Sequence, residues 1–287
     1  MDLNGDGFGD ILSGSYSRNE QPMAGLFQVL WGQKGGTFKR ASVLNGTDGK
    51  PLIIPSQGEK DVVESICTRP FAVDWNGDAK LDLVVGTFSG SLYLFLGEGG
   101  GKFQPASQRI TSGRKPLKVP GHHGDPFIVD WDGDGDLDLL SGSDSGGVQW
   151  AENTAGKGKT PVLKPFKTVI AANTPVATGE FLDEKDIAAP SSSMRIWVED
   201  VNGDGTLDIL VGDNVTLISP AKGVSKEDFA KRQAKWKAAM EDVQRDLGNS
   251  SSGSNRAAME RYQKLYQERA SFMNEERTGY VWLFVRK

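Results

Sequence analysis

The chain has 287 residues, 33 basic against 38 acidic side chains for a formal charge of −5, and a hydrophobic content of 37%. This composition excludes wholesale disorder, and the mild acidity excludes nucleic acid as the main partner. One cysteine, Cys67, excludes an internal disulfide framework. No apolar run reaches the ~18 residues a membrane span needs, and the opening Met1-Asp2-Leu3-Asn4 carries no secretory apolar segment. Glycine, with 36 residues, stands well above its usual share of ~7% and points to many turns between short strands.

Four segments share the pattern D-x-[DN]-G-D-[GA]-x-x-D. They start at Asp2, Asp74, Asp130 and Asp200 and end at Asp10, Asp82, Asp138 and Asp208. Each runs into a short apolar stretch closed by glycine, at 11–14, 83–86, 139–142 and 209–212. Three are preceded by aromatic-rich stretches at 71–73, 127–129 and 197–199. The alternation predicts strand, acidic loop, strand. A third strand follows a turn, at 26–31, 91–96, 148–150 and 280–285. Phe38-x-x-Ala41-Ser42 reaches Lys50-Pro51-Leu52 by the same spacing as Phe103-x-x-Ala106-Ser107 reaches Lys115-Pro116-Leu117, which marks an outer strand and its exit. Four short strands per unit of about 50–60 residues predict an all-β chain built as a β-propeller of four-stranded blades.

The loops offer oxygen ligands at alternate positions, which suits a hard cation. In so tight a turn the side chains at positions one, three, five and nine can converge with the backbone carbonyl at position seven. The first loop supplies Asp2, Asn4, Asp6, Phe8 through its carbonyl, and Asp10. The second supplies Asp74, Asn76, Asp78, Lys80 and Asp82. The third supplies Asp130, Asp132, Asp134, Asp136 and Asp138, and the fourth Asp200, Asn202, Asp204, Thr206 and Asp208. Up to four Ca²⁺ ions are expected, because unpaired clustered carboxylates repel one another. An EF-hand needs a glutamate at position twelve and flanking helices. Position twelve here is Ser13, Val85, Ser141 or Val211, inside an apolar run. Zinc lacks its Cys or His ligands, and Mg²⁺ would keep more water. Glycines at positions four and six allow the left-handed backbone. Ala79 replaces one of them, so the second site is expected to be the weakest.

Between residues 219 and 277 the period changes. Ser225-Lys-Glu-Asp228 resembles a capping box. Phe229, Gln233, Trp236, Met240, Val243 and Leu247 then follow a 4-3-4-3-4 spacing, a seam with one polar position. A Ser/Gly turn at 248–254 follows, and Met259, Tyr262, Tyr266, Arg269 and Met273 continue the seam. This predicts an antiparallel α-helical hairpin of two ~20-residue helices, inserted in the last blade between its second and third strands. Such a hairpin either pairs only with itself or docks a partner or a second copy.

In a propeller the loops leading into the first strands lie on the face opposite the acidic loops. They would gather Arg69, His122, His123, Asp125 and Arg195, including both histidines of the chain. These charges either belong to an ordinary solvated loop or hold an anionic glycan or a peptide carboxylate, which arginine forks suit. His123 and Asp125 lack a nucleophile motif beside them.

Acidic loop, apolar strand, glycine and third strand, in that order, resemble the FG-GAP/VCBS repeats of integrin α-chain propellers and bacterial secreted proteins. The resemblance covers most of the chain outside 219–277. It implies one calcium-loop propeller domain over 1–287, a secreted, periplasmic or cell-surface setting, and a non-enzymatic binding or scaffolding role for a protein or glycan ligand. A propeller-type polysaccharide lyase or hydrolase is the alternative, and an inactive fragment of a larger surface protein is a third. Four motifs fall short of the family's usual blade count and Asp2 is already a ligand position. The chain is therefore expected to be cut inside a blade at its N-terminal side, with its signal peptide lost.

Overall fold

The second, third and fourth acidic loops each join two neighbouring strands of one sheet, and the first runs into Ile11–Ser13, in the computed structural model, which describes residues 1–16, 26–55, 64–172, 182–248 and 256–287. In the third repeat Asp125–Val129 pairs with Asp138–Gly142, with Val129 opposite Asp138. Val148–Ala151 and Lys167–Ile170 complete a four-stranded sheet in chain order. The second repeat builds the same sheet from Arg69–Val73, Asp82–Gly86, Leu92–Phe95 and Gln108–Arg109. The first has three strands, Ile11–Ser13, Gln28–Leu30 and Ser42–Val43. In the fourth, Ser192–Glu199 lies beside Asp208–Pro220, and Val281–Phe284 pairs with the latter from Ile209 to Gly212. Among the described residues the chain is thus mostly β with two α-helices.

Strand alternation explains how successive sheets stack. Leu83 and Val85 point toward the first sheet and pack with Phe27 and Val29, whereas Val84 between them points toward the third sheet's Ile128 and Leu139. Leu140 and Phe127 in turn pack with Met194, Ile196, Ile209 and Val211 of the fourth. Each such side chain contributes about 1.5–3 kcal/mol when fully buried. The glycines that follow the first three acidic loops and close the strands there have a packing reason. A Cβ on Gly14 would meet the Thr68 carbonyl oxygen at 1.8 Å, on Gly86 that of Gly124 at 2.2 Å, and on Gly142 that of Met194 at 2.5 Å. Only a residue without a Cβ lets the next sheet approach so closely.

These sheets lie in one compact unit, Met1–Asn173, Pro190–Asp213 and Tyr280–Lys287. Thr174–Ala189 and Asn214–Gly279 form a second unit. In the second unit the strand begun at Asp208 continues to Pro220 and pairs with Met273–Thr278, and Leu182 bridges to Ile218. Helix α1 spans Lys226–Gly248 and α2 spans Arg256–Glu268. The Ser225 hydroxyl accepts the Asp228 N–H at 3.1 Å, capping α1. Phe229, Trp236 and Met240 pack with Ile218, Phe272 and Met273, and the Trp236 indole donates to the Leu265 carbonyl at 2.8 Å.

The hairpin differs from expectation in two respects. Helix α2 has 13 residues rather than about 20. The Ser271 hydroxyl donates to the Glu268 carbonyl, Arg269–Ser271 forms a single 3₁₀ turn, and Met273 begins a strand. The seam on α2 is also rotated: Ala258, Tyr262 and Leu265 face the core, while Met259 and Tyr266 are exposed. The Ser/Gly turn falls largely on residues 249–255, outside the described residues.

Candidate functional site

The acidic loops are wound by their own side chains. The Asp2 carboxylate accepts the N–H groups of Gly5, Asp6 and Gly7 at 2.8, 3.1 and 2.8 Å. Asp74 does the same for Gly77, Asp78 and Ala79, and Asp200 for Gly203, Asp204 and Gly205. Asp130 accepts from Gly133 and Gly135. Position three then accepts the N–H of position five: Asn4 from Asp6, Asn76 from Asp78, Asp132 from Asp134, Asn202 from Asp204. Position five accepts the N–H of position seven, with Asp6, Asp78, Asp134 and Asp204 bound to Phe8, Lys80, Asp136 and Thr206. Positions four and six carry positive φ in all four loops, and Ala79 adopts it too, at φ 65°.

Position nine behaves differently. Asp10, Asp82, Asp138 and Asp208 are buried. One oxygen of each accepts the N–H of loop position two: Leu3 at 2.8 Å, Trp75 at 3.1 Å, Trp131 at 3.2 Å and Val201 at 3.2 Å. The other accepts an N–H just beyond the third strand: Gly32 at 2.8 Å, Gly97 at 2.7 Å, Asn153 at 2.7 Å and Arg286 at 3.0 Å. This carboxylate therefore pins the loop to the third strand of its own sheet, a role the repeat pattern alone did not reveal. Burial pushes Asp138 up to about 6 and raises Asp82, against the pull of these backbone donors.

The third loop is the most acidic. Asp130, Asp132 and Asp134 each place a carboxylate oxygen within 4.8 Å of the others. Oxygens at 2.3–2.6 Å from one calcium lie at most about 5 Å apart, so this donor set fits that ion. Asp136, expected to serve through its carbonyl, is buried and turns its side chain to the Gly156 N–H at 2.7 Å. In the fourth loop the Thr206 hydroxyl donates to Asp204 and, with the other donors there, holds that carboxyl below its ordinary value.

The lead-in loops form a second constellation. Arg195 pairs with Asp125 at 2.9 Å, and the same carboxylate accepts the Ile196 N–H at 3.2 Å. Arg69 donates to the His123 carbonyl at 2.7 Å. Burial lifts Asp125 to about 6, partly offset by the nearby Arg69 charge. Arg69 and Arg195 line one open cavity with Tyr16, Cys67 and Pro70. The histidines do not line it. His122 stacks on Phe88 with centroids 5.5 Å apart, and His123 meets the same ring edge-on at 4.6 Å. Cys67, His123 and Ser193 occupy equivalent places two residues before Arg69, Asp125 and Arg195, and all three have positive φ, at 53°, 61° and 52°. Left-handed backbone at non-glycine residues costs roughly 1–2 kcal/mol each and often clusters where function is placed.

The FG-GAP-like repeat family matches residues 74–141 and 130–211. Each match spans two acidic loops with the strands between them. No curated protein matches the chain.

Proposed function

We propose that this FG-GAP repeat chain is a calcium-stabilised, propeller-like binding module that works outside the cytoplasm and performs no catalysis of its own. The observation that carries the calcium reading is the third loop, where three carboxylate oxygens lie within 4.8 Å of one another and, among the described residues, no lysine or arginine is bonded to them. When bound, calcium supplies the positive charge that lets such carboxylates sit together. The residues that would hold it are those at positions one, three, five and nine of each loop, with the carbonyl of position seven. FG-GAP-like repeats are typical of extracellular binding modules, which supports the setting and the role. No helix among the described residues is long and apolar enough to cross a membrane.

The ligand surface is the cavity that holds Arg69 and Arg195. Two guanidinium groups beside Tyr16 and Pro70 suit a carboxylate on an apolar or sugar-ring body. Helix α2 offers a second contact surface through Met259 and Tyr266, the latter covered by Arg269 at 3.5 Å. The test is an array of acidic glycans and peptides probed with calcium-loaded protein. Binding that disappears in the Arg69→Ala, Arg195→Ala double variant supports this surface. Binding left unchanged by both substitutions refutes it.

A further inference from the structure

The segment that leaves the third strand of a sheet has two attachments. Its start is held by the acidic loop of its own sheet, and its continuation lies against the acidic loop of the preceding one. In the third sheet the Asn153 N–H donates to Asp138 at 2.7 Å, the Asn153 side-chain amide donates to the Leu137 carbonyl at 3.1 Å, and the Gly156 N–H donates to Asp136 at 2.7 Å. Positions seven, eight and nine of the third loop thus all grip this segment. Two residues on, the Gly158 peptide rests on Gly77 of the second loop, where a Cβ on Gly77 would meet the Gly158 oxygen at 2.5 Å. Gly77 in turn donates its N–H to Asp74, position one of that loop, at 2.9 Å.

The same arrangement recurs in the neighbouring sheets. In the second, Asp82 holds the Gly97 N–H at 2.7 Å and Lys80 pairs with Glu98 at 3.6 Å. Gly101 then packs on Trp31 and on Asn4 of the first loop, whose Cβ lies 3.5 Å from the place a Gly101 Cβ would take. In the fourth, Asp208 holds the Arg286 N–H at 3.0 Å. The Arg286 guanidinium donates to the Trp131 carbonyl of the third loop and lies over the Trp131 ring, 4.7 Å from its centroid. The contacting residue differs each time, but its partner is always the preceding acidic loop. Asp136 is 2% exposed and, among the described residues, its second oxygen has no partner. Burying that carboxylate is costly, and the bond to Gly156 is what it gains.

We propose that the first three acidic loops are each seated by the sheet that follows, so that the Asp136 side chain is a positioning residue for the second loop and Arg286 for the third. A loop wound only by exposed side-chain bonds gains little from each of them. A packed peptide or guanidinium from the next sheet fixes its backbone beforehand, so less order is left to impose when an ion binds. The affinity readout of this inference rests on the calcium reading above. The seating itself belongs to the metal-free chain, because position nine grips its segment through backbone amides.

The test is NMR of the metal-stripped 287-residue chain followed by calcium titration, reading the amides of Gly77 and Ala79 in the second loop and of Gly133 and Gly135 in the third. Asp136→Ala cuts the bond to Gly156. In the metal-free protein, amide exchange at Gly77 and Ala79 should then speed up about three- to tenfold, and calcium affinity at the second loop should fall by a similar factor. Asp136→Asn keeps an acceptor for Gly156 and should restore both. Arg286→Ala, an independent variant, should act in the same way on Gly133 and Gly135 and leave the second loop at parent values. Asp134→Asn removes a carboxylate of the third loop without touching the segment, so it should weaken calcium there and spare the second loop. Exchange and affinity at the second loop both unchanged in Asp136→Ala, or changed as much by Asp134→Asn, overturn the seating. Faster exchange with no calcium bound at any loop upholds the seating and overturns the calcium reading instead.

Discussion

The carboxylate of Asp82 accepts the N–H of Gly97 at 2.7 Å across fifteen residues of chain. Its other oxygen accepts the Trp75 N–H at 3.1 Å, so one buried side chain ties the acidic loop to the third strand. Position nine therefore supports the fold whether or not a metal is bound. Asp82→Ala leaves two buried donors without partners, at about 1–3 kcal/mol each. In EDTA, urea unfolding should show Asp82→Ala destabilised by roughly 2–5 kcal/mol and Asp74→Asn by clearly less. Equal losses in EDTA would show that position nine has no separate structural role.

Ala79 at φ 65° takes a conformation that its Cβ disfavours. Ala79→Gly should relieve about 1 kcal/mol and strengthen metal binding at the second loop, with the other loops unaffected. Calcium titration of single-loop variants measures this directly. If the parent second loop proves the tightest of the four, backbone strain does not govern affinity here.

The closing glycines should respond unequally. Gly86→Ala drives a methyl group into the Gly124 carbonyl, 2.2 Å away, whereas Gly212→Ala meets nothing closer than 4.0 Å. Thermal unfolding of the dilute chain should show Gly86→Ala destabilised by several kcal/mol, on the order of overpacking or worse, and Gly212→Ala within ~1 kcal/mol of the parent.

Asp125 gives the lead-in face a pH dependence. Its native value of about 6 lies above the usual carboxylate value near ~4, so the folded state holds the proton more tightly than the unfolded chain. The stability this group contributes is complete below the unfolded value and is lost as pH rises toward and past 6. Asp125→Asn, which cannot ionise, should gain on the parent by on the order of 2 kcal/mol between pH 4 and pH 7 in urea unfolding. A constant difference across that range would show that Asp125 titrates normally. Protonation also frees Arg195 from its partner, so anionic ligands should bind more tightly at pH 5 than at pH 7.5.

Much of this architecture was legible because the repeat is written in residue types with narrow uses. The acidic loops marked the turns, the apolar runs marked the strands beside them, and the closing glycine recurred where backbones meet. Position nine was not legible, because an aspartate that ligates and one that pins backbone amides look alike in a sequence. Its constant place at the start of the strand that follows each loop was the available signal. The strand Met273–Thr278 was also hidden. Only Met273 of it is buried, so the evidence for pairing lay in the β-prone run Val215-Thr216-Leu217-Ile218 opposite. The surroundings of the histidine rings were hidden for a related reason. Phe88 lies in the turn after the preceding second strand, and nothing in the linear spacing showed that its ring would meet both the His122 and His123 rings while Arg69 reaches only the His123 carbonyl.

The most direct test of the calcium-stabilised reading is unfolding of metal-stripped protein with and without 2 mM Ca²⁺, a concentration of about physiological extracellular order, beside calorimetric titration of the same sample. With a Kd on the order of 10⁻⁴ M, each occupied loop adds roughly 1.8 kcal/mol, and four independent loops about 7 kcal/mol. The predicted result is a large rise in melting temperature, up to four bound ions, and no comparable effect of Mg²⁺. Absence of calcium binding, or binding with no change in stability, would contradict it.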